Sequence, residues 1–386
     1  MAEFAAFLLS YETLRVIWWL FIGILLIGFA ITDGFDLGVG ALLPFLGRTD
    51  EERRVIINVI GPTWEGNQVW FVLGGGAVFA AWPAVYATAF SGFFIALILT
   101  LFALILRPVG FDYRSKLHDP RWRNFWDWGL FVGGSVPALV FGVAFGNLLL
   151  GVPFHFDADM RSYYTGSFFG LLNPFGLLAG IVSLSMLVMH GAIYLQLRTE
   201  GDIQQRAQQM VALATKVFMG AFALAGVWLL LGVSGYRLES FPGVDAPSNP
   251  LAKTVVRDGW AWAMQYVHHP WMLLAPIMGF GGAALAWRCS QQQRPGRGFI
   301  ASSLALAGVI LTAGFSLFPF IMPSSSDPNS SLTVWDATSS HLTLKWMFGV
   351  TVVFLPIVLA YTSWVFSKLR GTITVAQIRA ADKAMY

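Results

Sequence analysis

The stretch Gly28-Phe-Ala-Ile-Thr-Asp-Gly-Phe-Asp-Leu-Gly-Val-Gly40 decides the fold class, because it places two carboxylates inside a long apolar run. That run extends over Leu14–Leu46, and a bilayer-spanning helix needs about 20 mainly apolar residues. A carboxylate inside a bilayer is costly unless it is paired, hydrated or neutralised. Asp33 and Asp36 are three residues apart and therefore share one face of a helix. The segment predicts a membrane helix that carries a polar patch.

The composition of the whole chain agrees with a membrane protein. Of its 386 residues, 56% are apolar and 12% are charged, whereas a soluble domain carries about 25% charged residues. The formal net charge is only +3, so it does not indicate a nucleic-acid partner. Cys289 is the only cysteine, which excludes an internal disulfide and a site of several cysteine ligands. Soluble enzymes and disordered scaffolds are excluded as classes.

Apolar runs of about 17–25 residues predict nine membrane helices in a single integral membrane domain, residues 1–386. The second and third runs meet at Trp82-Pro83 and are expected to form a tight hairpin, without which the count would be eight. The predicted spans are Leu14–Leu46, Asn67–Trp82, Ala87–Leu106, Phe125–Leu150, Phe168–Leu197, Gln208–Val233, Gly259–Trp287, Phe299–Met322 and Ala337–Phe366.

The distribution of basic residues predicts the orientation of these spans. Seventeen of the 24 Lys and Arg residues fall in one set of connections and only five in the other set. Because Lys and Arg concentrate on the cytoplasmic side, the N-terminus is expected outside and the C-terminus inside. Residues 234–258 form the longest periplasmic loop, which we interpret as a lid or partner contact, with a plain surface linker as the alternative. No internal repeat of the kind found in inverted-repeat transporters is evident.

Glu65, within Pro62-Thr-Trp-Glu-Gly-Asn-Gln-Val-Trp70, begins the second predicted span at its cytoplasmic end. A carboxylate in the first turn can simply complement the helix dipole. Alternatively, Glu65, Asp33 and Asp36 lie in the same leaflet and could form a proton relay, which needs groups that titrate near neutral pH. For Asp33 and Asp36 the other interpretation is structural, with both carboxylates hydrogen-bonded to neighbouring helices. These alternatives stay open at the level of sequence.

Other polar residues carry weaker expectations. Arg107 is expected to end the third span, either as an ordinary cytoplasmic anchor or as the partner of one of these acids. Asp112 and Arg114 are expected to form a local surface pair, and Asp336 is expected to cap the ninth helix. His190 lies deep in a span and, as a lone histidine, is interpreted as a satisfied polar contact rather than a haem ligand.

Two of the quoted segments, Gly28–Gly40 and Trp64-Glu-Gly-Asn-Gln-Val-Trp70, closely resemble subunit II of cytochrome bd quinol oxidases. The resemblance extends nearly from end to end of the chain. Further matching segments are Phe79–Pro83, Arg107–Ser115, Trp122–Trp128, Gly142–Asn147, Asn173–Gly180 and Trp335–Ser340.

The resemblance implies a subunit of a terminal oxidase in the bacterial inner membrane. Such a complex oxidises quinol, reduces O2 to water and generates protonmotive force with protons taken up from the cytoplasm. The fold implied is two four-helix bundles plus one additional helix. Subunit I would carry two haems b and one haem d, so this chain is expected to ligate no haem and no metal. A small single-helix accessory subunit is a further expected partner, and some family members hold a structural quinone in subunit II.

The resemblance also assigns provisional roles to residues. Glu65 matches the acid that lies on a proton path toward the haems, a position where some relatives have Asp. Asp33 and Asp36 match family positions and are further candidates for that path. Charge-partner or structural roles are expected for Arg107, Trp64 and Asn67. No catalytic residue is expected in this chain. The alternative function is an ion-coupled secondary transporter that binds its ion at the three acids, and a third interpretation is a purely structural subunit.

Overall fold

The computed structural model describes residues 7–380, which form long α-helices joined by short connections. Eight helices of this part are long and apolar enough to cross a membrane, which confirms a helical, multi-span membrane protein. The long helices are α1 (Tyr11–Leu46), α5 (Phe94–Tyr113), α6 (Pro120–Leu150), α8 (Pro174–Arg198), α9 (Gly201–Gly232), α11 (Leu274–Gln291), α12 (Pro295–Leu317) and α13 (His341–Lys368). The shorter ones are α2 (Asp50–Ile60), α3 (Trp64–Ala81), α4 (Pro83–Gly92), α7 (Phe168–Leu171), α10 (Ala261–His268) and α14 (Val375–Ala380).

The structure around the predicted hairpin at Trp82-Pro83 differs from the prediction in the helix bounds of both runs. The run Asn67–Trp82 forms helix α3, which has 18 residues but is not among the eight candidate spans. The run Ala87–Leu106 is not one helix, because α4 stops at Gly92 and α5 begins at Phe94. A Cβ on Gly92 would lie 2.8 Å from the ring of Tyr164, so this ring packs against bare backbone at the break. Helix α5 then continues seven residues beyond the predicted end.

Two other predicted spans are interrupted where the chain contains proline. The run Gly259–Trp287 divides into α10, a short 3₁₀ turn that begins at Pro270, and α11. The run Phe168–Leu197 divides at Pro174, where the Asn173 side chain caps α8 by accepting a hydrogen bond from the Gly176 N–H at 2.7 Å. Proline lacks an N–H and disfavours helical geometry in the residue before it, which explains both interruptions.

Helix α1 lies at the centre of the fold, where it contacts α3, α6, α8 and α12. Its glycines allow close approach of the backbones. A Cβ on Gly38 would lie 2.1 Å from the carbonyl oxygen of Leu187 and 3.2 Å from the Cα of Gly191 in α8. Any larger side chain at Gly38 would therefore push α1 and α8 apart, as is typical of small-residue contacts between membrane helices.

The connections at the end of the bundle where α1 begins form a cap of three antiparallel strand pairs. The pairs are linked to one another, since the N–H of Phe156 donates to Ser330 Oγ at 3.1 Å and the N–H of Val255 donates to Asn329 Oδ1 at 2.9 Å. The strands are β1 (Phe154–Phe156) with β2 (Ser162–Tyr164), β3 (Gly235–Ser240) with β4 (Thr254–Asp258), and β5 (Phe320–Met322) with β6 (Leu332–Thr333).

The long loop of residues 234–258 folds over the start of α1. The guanidinium of Arg15 is buried and donates to the carbonyl of Ala246 at 2.9 Å and to Thr338 Oγ1 at 3.0 Å. It also donates to the carbonyl of Val244. Two of these bonds join the buried cation of α1 to the loop, so the loop is held against the start of this helix.

The expected role of Asp336 is wrong, because Ser340 caps α13 and accepts a hydrogen bond from the Thr343 N–H at 3.3 Å. Asp336 instead pairs with the buried ammonium of Lys253 at 3.1 Å and accepts from the Thr333 hydroxyl at 2.7 Å. Burial lowers the pKa of Lys253, although Asp336 acts in the opposite direction. Asp336 lies in a turn that is separated from α13 by four residues, which keeps its carboxylate away from the helix end.

Candidate functional site

Asp33 and Arg107 form a buried ion pair between α1 and α5. The guanidinium binds both carboxylate oxygens, with Nη2 2.6 Å from Oδ1 and Nη1 3.0 Å from Oδ2. Arg107 is therefore not a surface anchor, because α5 extends to Tyr113 and keeps Arg107 inside the bundle. A Cβ on Gly133 of α6 would lie 2.8 Å from Arg107 Cγ, so a glycine leaves room for this side chain.

Asp36 is buried beside this pair but has a different partner. Asn67 Nδ2 of α3 donates to Asp36 Oδ2 at 2.7 Å, and Asp36 Oδ1 accepts no hydrogen bond from the described residues. The Trp64 ring lies 5.8 Å from the Arg107 guanidinium carbon and stacks on Phe111 at 5.2 Å. We call Asp33, Asp36, Arg107, Trp64 and Asn67 together the carboxylate cluster.

The carboxylate cluster holds more negative than positive charge when all its groups are ionised. Two carboxylates face a single guanidinium, and that guanidinium is fully engaged with Asp33 at both oxygens. A buried oxygen without a hydrogen-bond donor is rare in folded proteins and costly. A proton or a water molecule at Asp36 Oδ1 would remove that cost. The arrangement can thus hold one carboxylate fixed and let the other accept a proton.

Glu65 lies on the opposite side of α3 from Asn67 and is exposed at the surface of the chain. Its carboxylate has no hydrogen bond or ion pair with another residue in the range 7–380, and Thr63 occupies the N-cap position of α3. The structure therefore brings together Asp33, Asp36, Arg107, Trp64 and Asn67 but leaves Glu65 facing outward. We call its neighbourhood the open face of α3, formed by Glu65, Gly66, Val69, Leu73 and Gly76, all of them exposed.

His190 is buried, and both of its ring nitrogens have partners. Nδ1 lies 2.7 Å from Ser302 Oγ and Nε2 lies 3.0 Å from the carbonyl oxygen of Ile31. This confirms the interpretation of His190 as a satisfied polar contact. Within residues 7–380, no group of three His, Cys, Asp or Glu side chains is arranged to hold a metal ion.

A second charge cluster, with Arg114 and Asp127 buried at its centre, lies near the ends of α1, α5 and the start of α6. Asp127 accepts from Arg114 Nε, from Arg114 Nη2 at 3.1 Å and from Arg53 Nη1 at 2.7 Å. Asp50 pairs with Arg114 at 2.9 Å and also with Arg123. We call Arg53, Arg114, Arg123, Asp50 and Asp127 the helix-end network.

Sequence reasoning missed the helix-end network and paired Arg114 with Asp112, which is wrong. Asp112 is exposed, whereas Arg114 begins a 3₁₀ turn that directs it into the bundle. A signal was present in the segment Trp122-Arg-Asn-Phe-Trp-Asp-Trp128, where Asp127 lies among aromatic residues. An acid in such surroundings is expected to be buried and paired.

Comparison with known proteins places these features in a family. Residues 14–369 match the sequence model of the family described as "Cytochrome bd terminal oxidase subunit II". The chain belongs to this family. It is 54% identical to "Cytochrome bd-I ubiquinol oxidase subunit 2" of Escherichia coli strain K12 over 379 residues, 98% of this chain and 100% of that protein. It is 34% identical to "Cytochrome bd ubiquinol oxidase subunit 2" of Bacillus subtilis, over 94% of this chain and 97% of that protein.

A solved structure shows the same fold. "The structure of bd oxidase from Geobacillus thermodenitrificans" contains a chain that superposes with a TM-score of 0.69 at 15% identity, covering 92% of this chain and 98% of that chain. A cytochrome bd subunit II is part of a haem-containing oxidase and implies a subunit I as partner. Family membership therefore confirms the oxidase interpretation over the secondary transporter.

Proposed function

We propose that this subunit II serves a quinol-oxidising, O2-reducing complex in the bacterial cytoplasmic membrane. In that complex it would stabilise a subunit I that carries two haems b and one haem d. It would also contribute a path for protons taken up from the cytoplasm. The names of the similar proteins from Escherichia coli and Bacillus subtilis support ubiquinol as the electron donor. A small single-helix accessory subunit completes the proposed assembly.

The proposed topology has nine membrane crossings, with the N-terminus periplasmic and the C-terminus cytoplasmic. Helix α3 would be the ninth crossing, since its 18 residues extend about 27 Å, close to the thickness of a hydrocarbon core. The helices would group as two four-helix bundles with one additional helix. The cap of strand pairs, including residues 234–258, would then face the periplasm. The helix-end network would face the cytoplasm, in line with the excess of basic residues there.

The exposed carboxylate on the open face of α3 is the observation that carries the proposed function. Lipid does not solvate a carboxylate, so a charged side chain on a membrane helix normally faces protein or water. A Cβ added to Gly66 or Gly76 of the same face would have no atom within 4 Å, which leaves space for another helix to approach closely. We infer that subunit I covers the open face of α3 and receives protons there from Glu65.

Helix α13 extends the surface available to subunit I. Only 6% of its most apolar window is buried within the chain. Its exposed side chains include Trp346, Phe354 and Tyr361, which are 72%, 59% and 64% exposed. Bulky aromatic residues are enriched at protein interfaces. An α13 that packs against subunit I would bury these side chains and complete the contact made through α3.

Asp33 and Asp36 have different parts in this proposal. Asp33 is fixed as the counter-charge of Arg107, whereas Asp36 keeps one free oxygen that can take a proton. Asn67 connects Asp36 to α3, the helix that also carries Glu65. We therefore propose Glu65 as the group that passes protons to subunit I, and Asp36 as a second group that can hold a proton, linked to α3 through Asn67.

An apolar cavity inside the chain supports a structural quinone. It has a volume of about 240 Å³ and lies between α1, α3, α6, α8, α9 and α12, with six phenylalanines among its lining residues. Phe29, Phe71, Phe141 and Phe222 are among the lining residues. These residues fit the isoprenoid part of a quinone, which needs apolar contacts and no charge.

The test replaces Glu65 by Gln and by Asp in the intact complex. We expect E65Q to lower O2 consumption by about 100-fold, the range of general acid–base contributions, with haem content unchanged. E65D should retain most of the turnover, because the carboxylate is kept. The control is D202N, which neutralises an exposed acid at the start of α9. Full turnover by E65Q in a haem-replete complex would contradict the proton role.

A further inference from the structure

A basic groove lies between α11 and α12, close to the turn that joins them. Its volume is about 560 Å³. One wall follows a single face of α11, with Leu285, Arg288 and Gln292 at spacings of three and four residues. The other wall follows a single face of α12, and Arg294 lies at the turn. The α12 wall is formed by Arg297, Ile300 and Leu304.

The three arginines of this groove lack carboxylate partners. Arg288, Arg294 and Arg297 are all exposed, and none forms an ion pair within the described part of the chain. No acidic residue lines the groove. By contrast, Arg107 and Arg114 pair with buried aspartates. Three uncompensated guanidinium groups in one groove indicate an anionic ligand from outside the chain.

The turn between the helices fixes the arginines in place. The N–H of Arg294 donates to the carbonyl of Cys289 at 2.9 Å, and the N–H of Gln293 donates to that of Ser290 at 3.1 Å. Gln293 has a φ of 55°, a conformation that non-glycine residues adopt rarely. Its side chain is held by Gln208 of α9 at 3.0 Å. The backbone that carries the arginines at the basic end of the groove is thus held by defined hydrogen bonds.

The two halves of the groove differ in polarity along the helix axes. The arginines lie at the helix ends, while the exposed side chains of Leu285, Ile300 and Leu304 follow inside the membrane-spanning segments. Helix α12 begins with Pro295 and has no side-chain cap, so its first turn adds partial positive charge beside the arginines. A ligand that matches both halves has an anionic head and an apolar chain.

We propose that this groove binds an anionic phospholipid, with its phosphate at Arg288, Arg294 and Arg297. One acyl chain would lie along Leu285, Ile300 and Leu304. A soluble phosphate would use only the basic end and leave the apolar walls in contact with bulk lipid. The site stands apart from the oxidase chemistry, because it uses none of the residues of the carboxylate cluster or the open face of α3.

The test is a titration of the delipidated, detergent-solubilised complex with phosphatidylglycerol, followed by native mass spectrometry. The variant R288Q/R294Q/R297Q should weaken one phosphatidylglycerol site by about 100-fold, since each basic residue near a lipid surface contributes about fivefold. The matched control K116Q/R121Q/R370Q removes three exposed basic residues elsewhere and should leave that site within about twofold. Equal losses in both variants would overturn the proposal.

Further titrations distinguish the source of the phosphate. Phosphatidylcholine should bind about 10-fold more weakly than phosphatidylglycerol, because its head group has no net charge. The variant I300S/L304S should weaken phosphatidylglycerol binding without changing the binding of inorganic phosphate. Inorganic phosphate that displaces the lipid at equal concentration would identify a soluble-anion site and overturn the lipid assignment. Equal affinity for the two lipids would overturn it as well.

Discussion

The carboxylate cluster and the helix-end network both bury aspartates beside arginines, but their charge balance is opposite. The carboxylate cluster sets Asp33 and Asp36 against Arg107 alone, and one Asp36 oxygen has no donor among the described residues. The helix-end network sets three arginines against two aspartates, and Asp127 uses both oxygens. The carboxylate cluster therefore leaves one carboxylate oxygen without a donor, whereas both oxygens of Asp127 in the helix-end network accept from arginines.

This difference agrees with the proposed division between helix anchoring and proton transfer. A buried pair whose oxygens are all engaged resists protonation and fixes its helices, although its net contribution to stability is small once desolvation is counted. A carboxylate with only an amide as partner is held in place without a counter-charge. The following predictions test this division, beginning with the largest effect.

The largest effect is expected for D127N. This change leaves the buried guanidinium of Arg114 and the cation of Arg53 without their shared acceptor, and breaking a buried pair from one side costs about 3–5 kcal/mol. The complex should lose heat stability and accumulate poorly, measured by thermal unfolding and haem content. D112N, which neutralises an exposed acid nearby, is the control. A fully stable D127N complex would refute the anchoring role.

Smaller losses of stability, with R107Q above D33N, are expected for changes in the carboxylate cluster. R107Q should destabilise more than D33N, because R107Q leaves two buried carboxylates without a neighbouring positive charge, whereas D33N leaves the guanidinium beside Asp36. The expected costs are about 3–5 kcal/mol for R107Q and about 1–3 kcal/mol for D33N. Thermal unfolding of the single variants and of D33N/R107Q gives the coupling free energy between Asp33 and Arg107. If the destabilisation of the double variant equals the sum of the two single ones, the two residues do not form a direct pair.

D36N should change turnover more than stability. Asparagine has nearly the same shape and can accept the Asn67 hydrogen bond through its own carbonyl, so the cost should stay below about 1 kcal/mol. O2 consumption should fall by about 10-fold or more, because an amide cannot carry the proton. Stability is followed by thermal unfolding of the same preparation. If D36N unfolds early but turns over normally, Asp36 is structural.

The smallest effect is the pH dependence of stability contributed by Glu52, which lies in α2 with two residues of the helix-end network. Partial burial raises its pKa, but hydrogen bonds from Arg206 and from the N–H groups of Arg48 and Thr49 outweigh burial and lower it overall. Its stabilisation is therefore present above the ordinary glutamate value and is lost as the pH falls through the lowered value. E52Q should reduce the loss of unfolding free energy at acid pH by less than about 1 kcal/mol, whereas D202N should leave that loss unchanged.

Most of the helical layout could be predicted from the sequence, because long apolar runs determine which segments cross a membrane. The break at Phe93 could not, since apolar residues continue on both sides of it. The break at Pro270 did have a local signal in the proline, but the length of the apolar run outweighed it in the prediction. Local caps are also difficult to predict. Ser340 and Asp336 are four residues apart, and only the path of the backbone decides which one reaches the first turn of α13.

The sites were predictable as residue types but not as pairs. Burial of Asp33 and Asp36 followed from their depth in α1, whereas the choice of Arg107 for Asp33 required the true length of α5. Proximity in sequence favours Asp112 as the partner of Arg114, yet its actual partners Asp127 and Asp50 lie 13 and 64 residues away. Tertiary packing decides such pairs, and no local pattern encodes them.

The position of α13 in the chain has a consequence for biosynthesis. This helix is the last of the eight long ones to leave the ribosome, and only 6% of its most apolar window is buried by the rest of the described chain. A newly made chain that has not met its oxidase partner keeps nearly all of this helix against lipid. Its tertiary structure then rests on α1 through α12, and under the proposed contact with subunit I the final helix would gain a protein environment only when the two subunits meet. Unassembled copies are therefore expected to turn over faster in cells than assembled ones.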